Sequence, residues 1–430
     1  MKAFENHENW VNVKEVYGRL RQAGFEALLA GGCVRDLLMN RAPNDFDIAT
    51  NARPEDVEAL FAKTVAVGKA FGVMIVAMAD GEPIEVATFR EDQAYVDGRR
   101  PESVVFSSAE EDAKRRDFTV NALFYDLEKK EVLDFVGGLE DLKNGVLRTV
   151  GVPEDRFAED KLRLLRAVRF AAQLNFQIEE KTFLAIQKMA PTVLQVSRER
   201  IRDELHKLLK CENRVLGLKA MKESGLLQVL FPQLAKVVQG DTLFWLGLFE
   251  NLKNSNRSHL DDCRLLLSLF LSPLRDELET IKDILKNLRL ETSIVRDVQD
   301  IFVLLRRYLS FQTCRKGELI LSLLHPMSKR AEILGDLVWP DHDRNSFFKT
   351  LLRDGGYLGT QHPHDPEWVA SDRIKPAALL TGEDLLALGA KAGPLFKETL
   401  QEAYFLQLES ALTQREQAIE WAKDFLQNKD

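Results

Sequence analysis

Cysteine is scarce in this chain. Four residues (Cys33, Cys211, Cys263 and Cys314) are scattered over 430 positions and form no C-x-x-C pair. That excludes a disulfide framework, argues against structural zinc and suits a reducing cytoplasm. Long apolar runs are also missing, so no segment reads as a membrane span, and the opening MKAFENHENW is not built like a secretory signal. Positive charge is not in excess. Lys and Arg number 59 against 67 Asp and Glu, the net charge is -8 and the pI is about 5.6. A nucleic-acid partner would therefore have to be met by a local basic surface. Repeats of fixed period are absent. What is present is a globular composition, 45% hydrophobic and 29% charged with a mean hydropathy of -0.21, in a chain too long for one ordinary core.

The stretch that organises the rest runs from Leu28 to Thr50, LLAGGCVRDLLMNRAPNDFDIAT. It reads as a short apolar strand, a Gly31-Gly32 turn, a short helix carrying Arg35 and Asp36, a polar loop and a second strand with Asp45 and Asp47. Residues two apart on a strand face the same side, so the two carboxylates converge while Phe46 and Ile48 pack on the other face. Mg²⁺ prefers oxygen ligands and is usually held by one or two carboxylates plus substrate phosphates. The glycines let the backbone approach phosphate oxygens, and the next helix offers free N–H groups. A D-x-D alone is common and most often a solvated pair; its surroundings give it meaning here.

Upstream, Trp10 to Gly24 reads as a helix with Val13, Val16, Tyr17 and Leu20 inward. Downstream, Pro54 opens a second helix, and Val73–Ala79 and Ile84–Phe89 flank Asp80-Gly81, a tight-turn signal. Glu85 interrupts the second of these strands. It is either an edge-strand charge or a third carboxylate beside Asp45 and Asp47. Residues 90–113 are polar and broken by Asp97-Gly98 and Pro101, which predicts a solvated loop. Lys114 to Asp126, KRRDFTVNALFYD, reads as a helix after two arginines. Arg116 is suited to phosphate oxygens, and Asp117 and Asn121 to sugar hydroxyls. Leu133 to Leu142 reads as a strand end, a Gly137-Gly138 turn and Asp141, mostly scaffold.

Phe157 to Phe170, FAEDKLRLLRAVRF, reads as one helix on which Glu159, Asp160 and Arg163 share a face. An intrahelical ion pair would explain them. Donor and acceptor logic gives a sharper alternative. Arginine only donates and an ionised aspartate only accepts. Cytosine and adenine each present a ring acceptor and an amino donor, which such a pair satisfies; guanine and uracil present a ring N–H instead. Arg166, one turn on, faces either phosphate or solvent. Ser197 to Leu209 reads as a capped structural helix. Beyond about 211 helical periodicity dominates, with apolar segments at 265–271, 281–288 and 295–305. Asp341-His342-Asp343 and His362-x-His364-Asp365 lie near prolines, and loop polarity explains them better than metal binding.

These motifs resemble those of the polymerase β-like nucleotidyltransferases, in the class II branch that holds tRNA CCA-adding enzymes and bacterial poly(A) polymerases. GGCVRD with DFDIAT resembles the family's first motif, RRDFTVNA its ribose and triphosphate motif, and EDKLR its E-D-x-x-R motif. The resemblance covers about 25–210, and more weakly 375–425. It implies an α+β fold: a nucleotidyltransferase head (1–150), then a helical neck (151–215), body (216–370) and tail (371–430). It implies an Mg²⁺-dependent enzyme that adds C and A from CTP and ATP to a tRNA 3′ end, in the cytoplasm, with no membrane and no protein partner. Asp45 and Asp47 would hold metal, with Glu85 as a third catalytic acid. Gly31, Gly32, Arg35, Arg116, Asp117, Asn121, Glu159, Asp160, Arg163 and Arg166 would bind nucleotide. In the family Asp and Arg of E-D-x-x-R read the base and Glu steadies the Arg. The loop at 90–113 is associated with adding the final adenosine. A-only addition and poly(A) synthesis are the alternatives within the family, and a non-catalytic RNA-binding protein is the alternative outside it. The single basic residue of Val67-Gly68-Lys69-Ala70-Phe71 leans away from the poly(A) branch.

Overall fold

The computed structural model of the chain describes residues 7–78, 80–92, 104–253, 262–309, 377–408 and 411–427, with a few isolated positions besides. The chain divides into two units, 1–242 and 243–430.

In the first unit a seven-stranded mixed sheet has the order β3-β4-β5-β2-β1-β8-β9. Its strands are β1 (Ala27–Ala30), β2 (Asp47–Thr50), β3 (Thr64–Gly68), β4 (Val73–Val76), β5 (Ile84–Thr88), β8 (Leu123–Asp126) and β9 (Glu131–Asp134). Among the described residues of this sheet, β2 and β5 are the one pair that runs parallel. One face of the sheet is closed by helices α1 (Trp10–Gln22), α2 (Gly32–Leu38) and α3 (Pro54–Leu60). Val13, Val16, Tyr17 and Leu20 of α1 pack there with Leu29, Ile48, Val86 and Leu123, so the helical reading of 10–24 and its inward face hold. The opposite face keeps a smaller apolar patch, including Leu28, Ala49, Phe89 and Phe124. Beside it the sheet opens toward the site.

Several sequence expectations change. Asp80-Gly81 does not form a tight turn, because β4 ends at Val76 and β5 starts at Ile84. Asn12 on α1 and Asn9 just before it donate to the carbonyls of Asp80 and Glu82, which holds the wider connection open. The base of the polar segment is a two-stranded hairpin, β6 (Arg90–Asp92) with β7 (Val104–Phe106), followed by helix α4 (Ala109–Lys114). Residues 93–103 lie outside the described residues. The expected helix at 114–126 is a one-turn 3₁₀ segment, Thr119–Asn121, that leads into β8. β8 lies between β1 and β9 and is buried along its whole length, so its apolar residues carry no face periodicity and imitate a buried helix.

After α5 (Gly138–Asn144), the expected single helix at 157–170 is two helices, α6 (Pro153–Glu159) and α7 (Arg163–Leu174). Asp160 breaks it by adopting an extended conformation (φ -140°, ψ 106°). Its carboxylate accepts the Leu162 N–H at 3.0 Å and its carbonyl the Arg163 N–H at 3.0 Å, so it opens α7 much as a capping aspartate does. Next come α8 (Glu180–Met189), α9 (Arg198–Lys210) and α10 (Arg214–Glu223). Gly217 lets α10 close on α7: a Cβ there would stand 2.3 Å from Leu208 and 2.9 Å from Ala172.

The described part of the second unit is helical, as the periodicity predicts. Segments 265–271, 281–288 and 295–305 fall in helices at Cys263–Leu271, Leu278–Asn287 and Thr292–Leu309, the second ending one residue early. Thr381 and Asp384 form a capping box at the start of Gly382–Ala387, and Arg415 binds Asp384 at 2.7 Å. The two His/Asp motifs at 341–343 and 362–365 lie outside the described residues. Among the described residues no helix is long and apolar enough to cross a membrane.

Candidate active site

A cleft of about 990 Å³ opens on the uncovered side of the sheet and reaches α7 and α9. Asp45, Asp47, Glu85, Gly31, Gly32, Arg35, Arg116, Asp117, Asn121, Asp160, Arg163 and Arg166 all line it. Of the sequence-predicted residues only Glu159 does not, and it acts on the cleft through Arg163. The lining carries nine Arg and Lys against six Asp and Glu. The cleft is thus net positive although the chain as a whole is acidic.

The acids come from the sheet. Ala30, Asp47 and Glu85 stand in one cross-strand row over β1, β2 and β5. Residues paired across strands share a face, so Asp47 and Glu85 point into the cleft together. Asp45 lies just before β2 rather than on it. Buried Phe46 between them packs on the helical side of the sheet, with Ile48. β5 lies between β4 and β2, so Glu85 is not an edge-strand charge. Burial, then Glu85 and Asp45, push the Asp47 carboxyl up to about 7, against the pull of Arg116. Burial and Asp45 likewise raise Glu85, with Arg90 and Arg116 opposing. No hydrogen bond or ion pair among the described residues satisfies these three carboxylates. Nor do three or more described His, Cys, Asp or Glu residues form a ready-made metal cage. Unpaired carboxylates that repel one another, with room for further oxygen ligands, fit a divalent ion completed by substrate phosphates.

Gly31 adopts φ +74° at the start of α2, a conformation suited to glycine. A Cβ there would stand 2.9 Å from Arg116 Nη1 and 3.9 Å from Asp47 Oδ2. The bare glycine therefore lets a guanidinium and the acid row approach the turn together. Arg35 is buried; it donates to Asp36 (2.8 and 2.9 Å) and to Asn121 Oδ1 (2.6 Å). Asn121 in turn reaches Asp117 Oδ1 (3.3 Å), and Arg166 donates twice to Asp117 Oδ2 (2.8 and 2.5 Å). Burial alone would raise the Asp117 carboxyl, but Arg166 and Arg163 hold it at about 2. Arg35, Arg166 and Arg169 all lie over the Phe170 ring, at 5.7, 5.1 and 3.9 Å. The chain from Asp36 to Arg166 thus ties the turn, the 3₁₀ segment and α7 into one network.

On the helical wall Arg163 donates to Glu159 (2.6 Å), the Arg156 carbonyl (3.0 Å) and the Arg115 carbonyl (3.2 Å). Of its five N–H donors, two are left for a ligand. Asp160 does not pair with Arg163. Arg200 of α9 grips it bidentately instead, at 2.7 and 3.2 Å. Sequence reasoning missed Arg200, which lies forty residues away with no periodic link to Asp160. It also missed Asp112, whose i+3 and i+4 spacing to Arg115 and Arg116 was a usable signal.

The chain is similar to known proteins over the region that builds this cleft. Residues 27–148 match the family described as the poly A polymerase head domain, and residues 175–237 match the probable RNA and SrmB- binding site of polymerase A. A CCA-adding enzyme of Ligilactobacillus salivarius is 46% identical over 209 residues, covering 48% of this chain and 51% of that protein. The chain spans about half the length of such curated relatives. Poly(A) polymerase I of Salmonella typhi is 38% identical over 63% of this chain and 62% of its own. The crystal structure of the Bacillus stearothermophilus CCA-adding enzyme in complex with CTP superposes with a TM-score of 0.75 at 28% identity, covering 98% of this chain and 99% of that one. The matched region identifies residues 27–148 as a poly A polymerase head domain, and over its first half the chain is similar to the CCA-adding enzymes and to a bacterial poly(A) polymerase.

Proposed function

We propose that this protein adds C and A to the 3′ end of tRNA, from CTP and ATP, with release of pyrophosphate. The observation that carries the reading is that the acid row and the Asp160–Arg163 wall share one cleft. Asp45 and Asp47 are the residues to hold Mg²⁺, with Glu85 beside them. When bound, such metal ions favour the attacking 3′ oxygen and offset charge on the α-phosphate and the departing pyrophosphate. The chain's own part is positioning and charge neutralisation. Gly31 and Gly32 admit the triphosphate, and Arg116 faces its oxygens. Arg35, Asn121, Asp117 and Arg166 hold the ribose side. Arg163 offers two donors to the ring acceptor side of cytosine or adenine. Asp160 keeps an acceptor for the amino group, because Oδ2 receives only Arg200. Glu159 steadies Arg163.

The proposed organisation is a catalytic head (1–150), a base-recognition neck (151–215), an RNA-binding body (216–370) and a tRNA-gripping tail (371–430). Duplex shape and phosphate contacts would select tRNA. The scattered cysteines suit a cytoplasmic site of action.

The test feeds labelled CTP and ATP to a tRNA that ends before its CCA, followed by sequencing of the product. CCA is the expected product, and no incorporation overturns the reading. A long A tail from ATP alone would instead support the second reading, a poly(A) polymerase, which the Salmonella relative favours. Against that reading, Lys69, the one basic residue of its turn, is turned toward Glu58 (2.7 Å) and Glu55 (3.7 Å) of α3.

A further inference from the structure

Asp112 stands on α4, behind the cleft, and is 1% exposed. Its Oδ1 accepts Nε and Nη2 of Arg115 (2.8 and 2.6 Å). Its Oδ2 accepts Nε and Nη2 of Arg116 (3.1 and 3.0 Å). Oδ1 also lies 3.4 Å from the backbone N–H of Arg90, where the β6–β7 hairpin begins. A carboxylate so deeply buried is costly unless paired on all sides, and this one is. Burial works against its charge, yet Arg116 and Arg115 keep its carboxyl below the usual range.

The consequence falls on Arg116. Its Nε–Nη2 edge is fastened to Asp112 and its plane lies 5.0 Å over Phe124. That leaves the Nη1 side turned toward the Asn121 carbonyl (3.3 Å) and the bare Cα of Gly31. Arg115 and Arg116 are adjacent in sequence and would repel each other; one shared carboxylate holds both and leaves a net positive charge at the turn. We propose that Asp112 is a positioning residue for polyphosphate: it aims Arg116 at the phosphate chain of any bound nucleoside triphosphate. The nucleotide part of this inference rests on the function proposed above; the phosphate part does not.

The test replaces Asp112 with Asn, which keeps the shape but removes the charge and turns a donor toward one guanidinium. Two quantities are read: calorimetric binding of tripolyphosphate to the whole protein, and steady-state incorporation from each of the four triphosphates. Tripolyphosphate should bind about tenfold more weakly. KM for CTP and ATP should rise together by a similar factor, kcat should change less than about threefold, and the preference for C and A over U and G should stay as it was. Asp112→Glu should recover part of the affinity. A double-mutant cycle guards against a merely structural effect, because once Arg116 is Lys the Asp112→Asn change should add little. Unchanged tripolyphosphate affinity in the Asn variant, or full additivity in the cycle, overturns the inference. Should the Asn variant fail to fold, the Glu variant is read by the same two measurements, and full wild-type affinity overturns the proposal there. Tripolyphosphate binding by the unmodified protein without nucleotide incorporation would sink the proposed function and leave this inference standing.

Discussion

The two walls of the cleft follow opposite electrostatic plans. On the sheet wall Asp45, Asp47 and Glu85 face one another unpaired, and the Asp47 carboxyl is driven up to about 7. On the helical wall each acid has a cation: Asp117 has Arg166, Asp160 has Arg200 and Glu159 has Arg163. There the Asp117 carboxyl is held at about 2. The difference teaches which wall is complete. The helical wall is organised before any ligand arrives, so it need not reorganise around a base. The sheet wall is short of positive charge and is completed by what binds to it.

The largest effect that would break this contrast is loss of the acid row. Asp45→Ala or Asp47→Ala should lower single-turnover incorporation by about 10³-fold or more while tRNA binding persists. Turnover within tenfold of the unmodified protein would show that the row is not the metal wall. Next is the grip of Arg200 on Asp160. Arg200→Ala should reduce the preference for C and A over U and G by about threefold to tenfold, because Asp160 loses its fixed direction. Arg200→Lys should fall between the two, since a lysine cannot copy the bidentate contact.

The smallest effects are on stability, and their signs differ between the walls. Asp47 has a raised pKa in the folded protein, so the folded state binds more protons than the unfolded chain between about pH 4 and 7. Its contribution is present at the acid end of that window and is lost as pH rises through about 7. Metal-free Asp47→Asn should therefore gain on the unmodified protein as pH climbs from 5 to 8, and Mg²⁺ should stabilise the unmodified protein more at pH 8 than at pH 6. Asp117 has a lowered pKa, so its contribution of about 2 kcal/mol is present above pH 4 and is lost as pH falls toward 2. Asp117→Asn should remove that limb of the acid profile. Denaturant melts across pH 2–8 check both, and parallel profiles for the two variants would erase the contrast.

What was legible in the sequence was what lies close together along the chain. Asp45, Phe46 and Asp47 announce their facing within three residues, and Gly31-Gly32 announces its turn. Glu159 and Arg163 sit at helical spacing and do pair. Contacts set by strand register or by distant helices were hidden. Nothing in the spacing places Glu85 opposite Asp47, which depends on one parallel pairing in the middle of the sheet. Arg200 reaches Asp160 only because α9 packs on α7. Where the reading failed, burial had erased the pattern, as in β8, or an aspartate had captured backbone N–H groups, as Asp160 does between α6 and α7.

The most direct test of the cleft as a template-free selector is single-turnover incorporation by Arg163→Ala from each of the four nucleoside triphosphates, on a tRNA lacking its CCA. Turnover should survive, because the acid row is untouched, while the preference for C and A over U and G collapses. Retention of that preference, with turnover intact, would contradict the assignment of nucleotide choice to the helical wall.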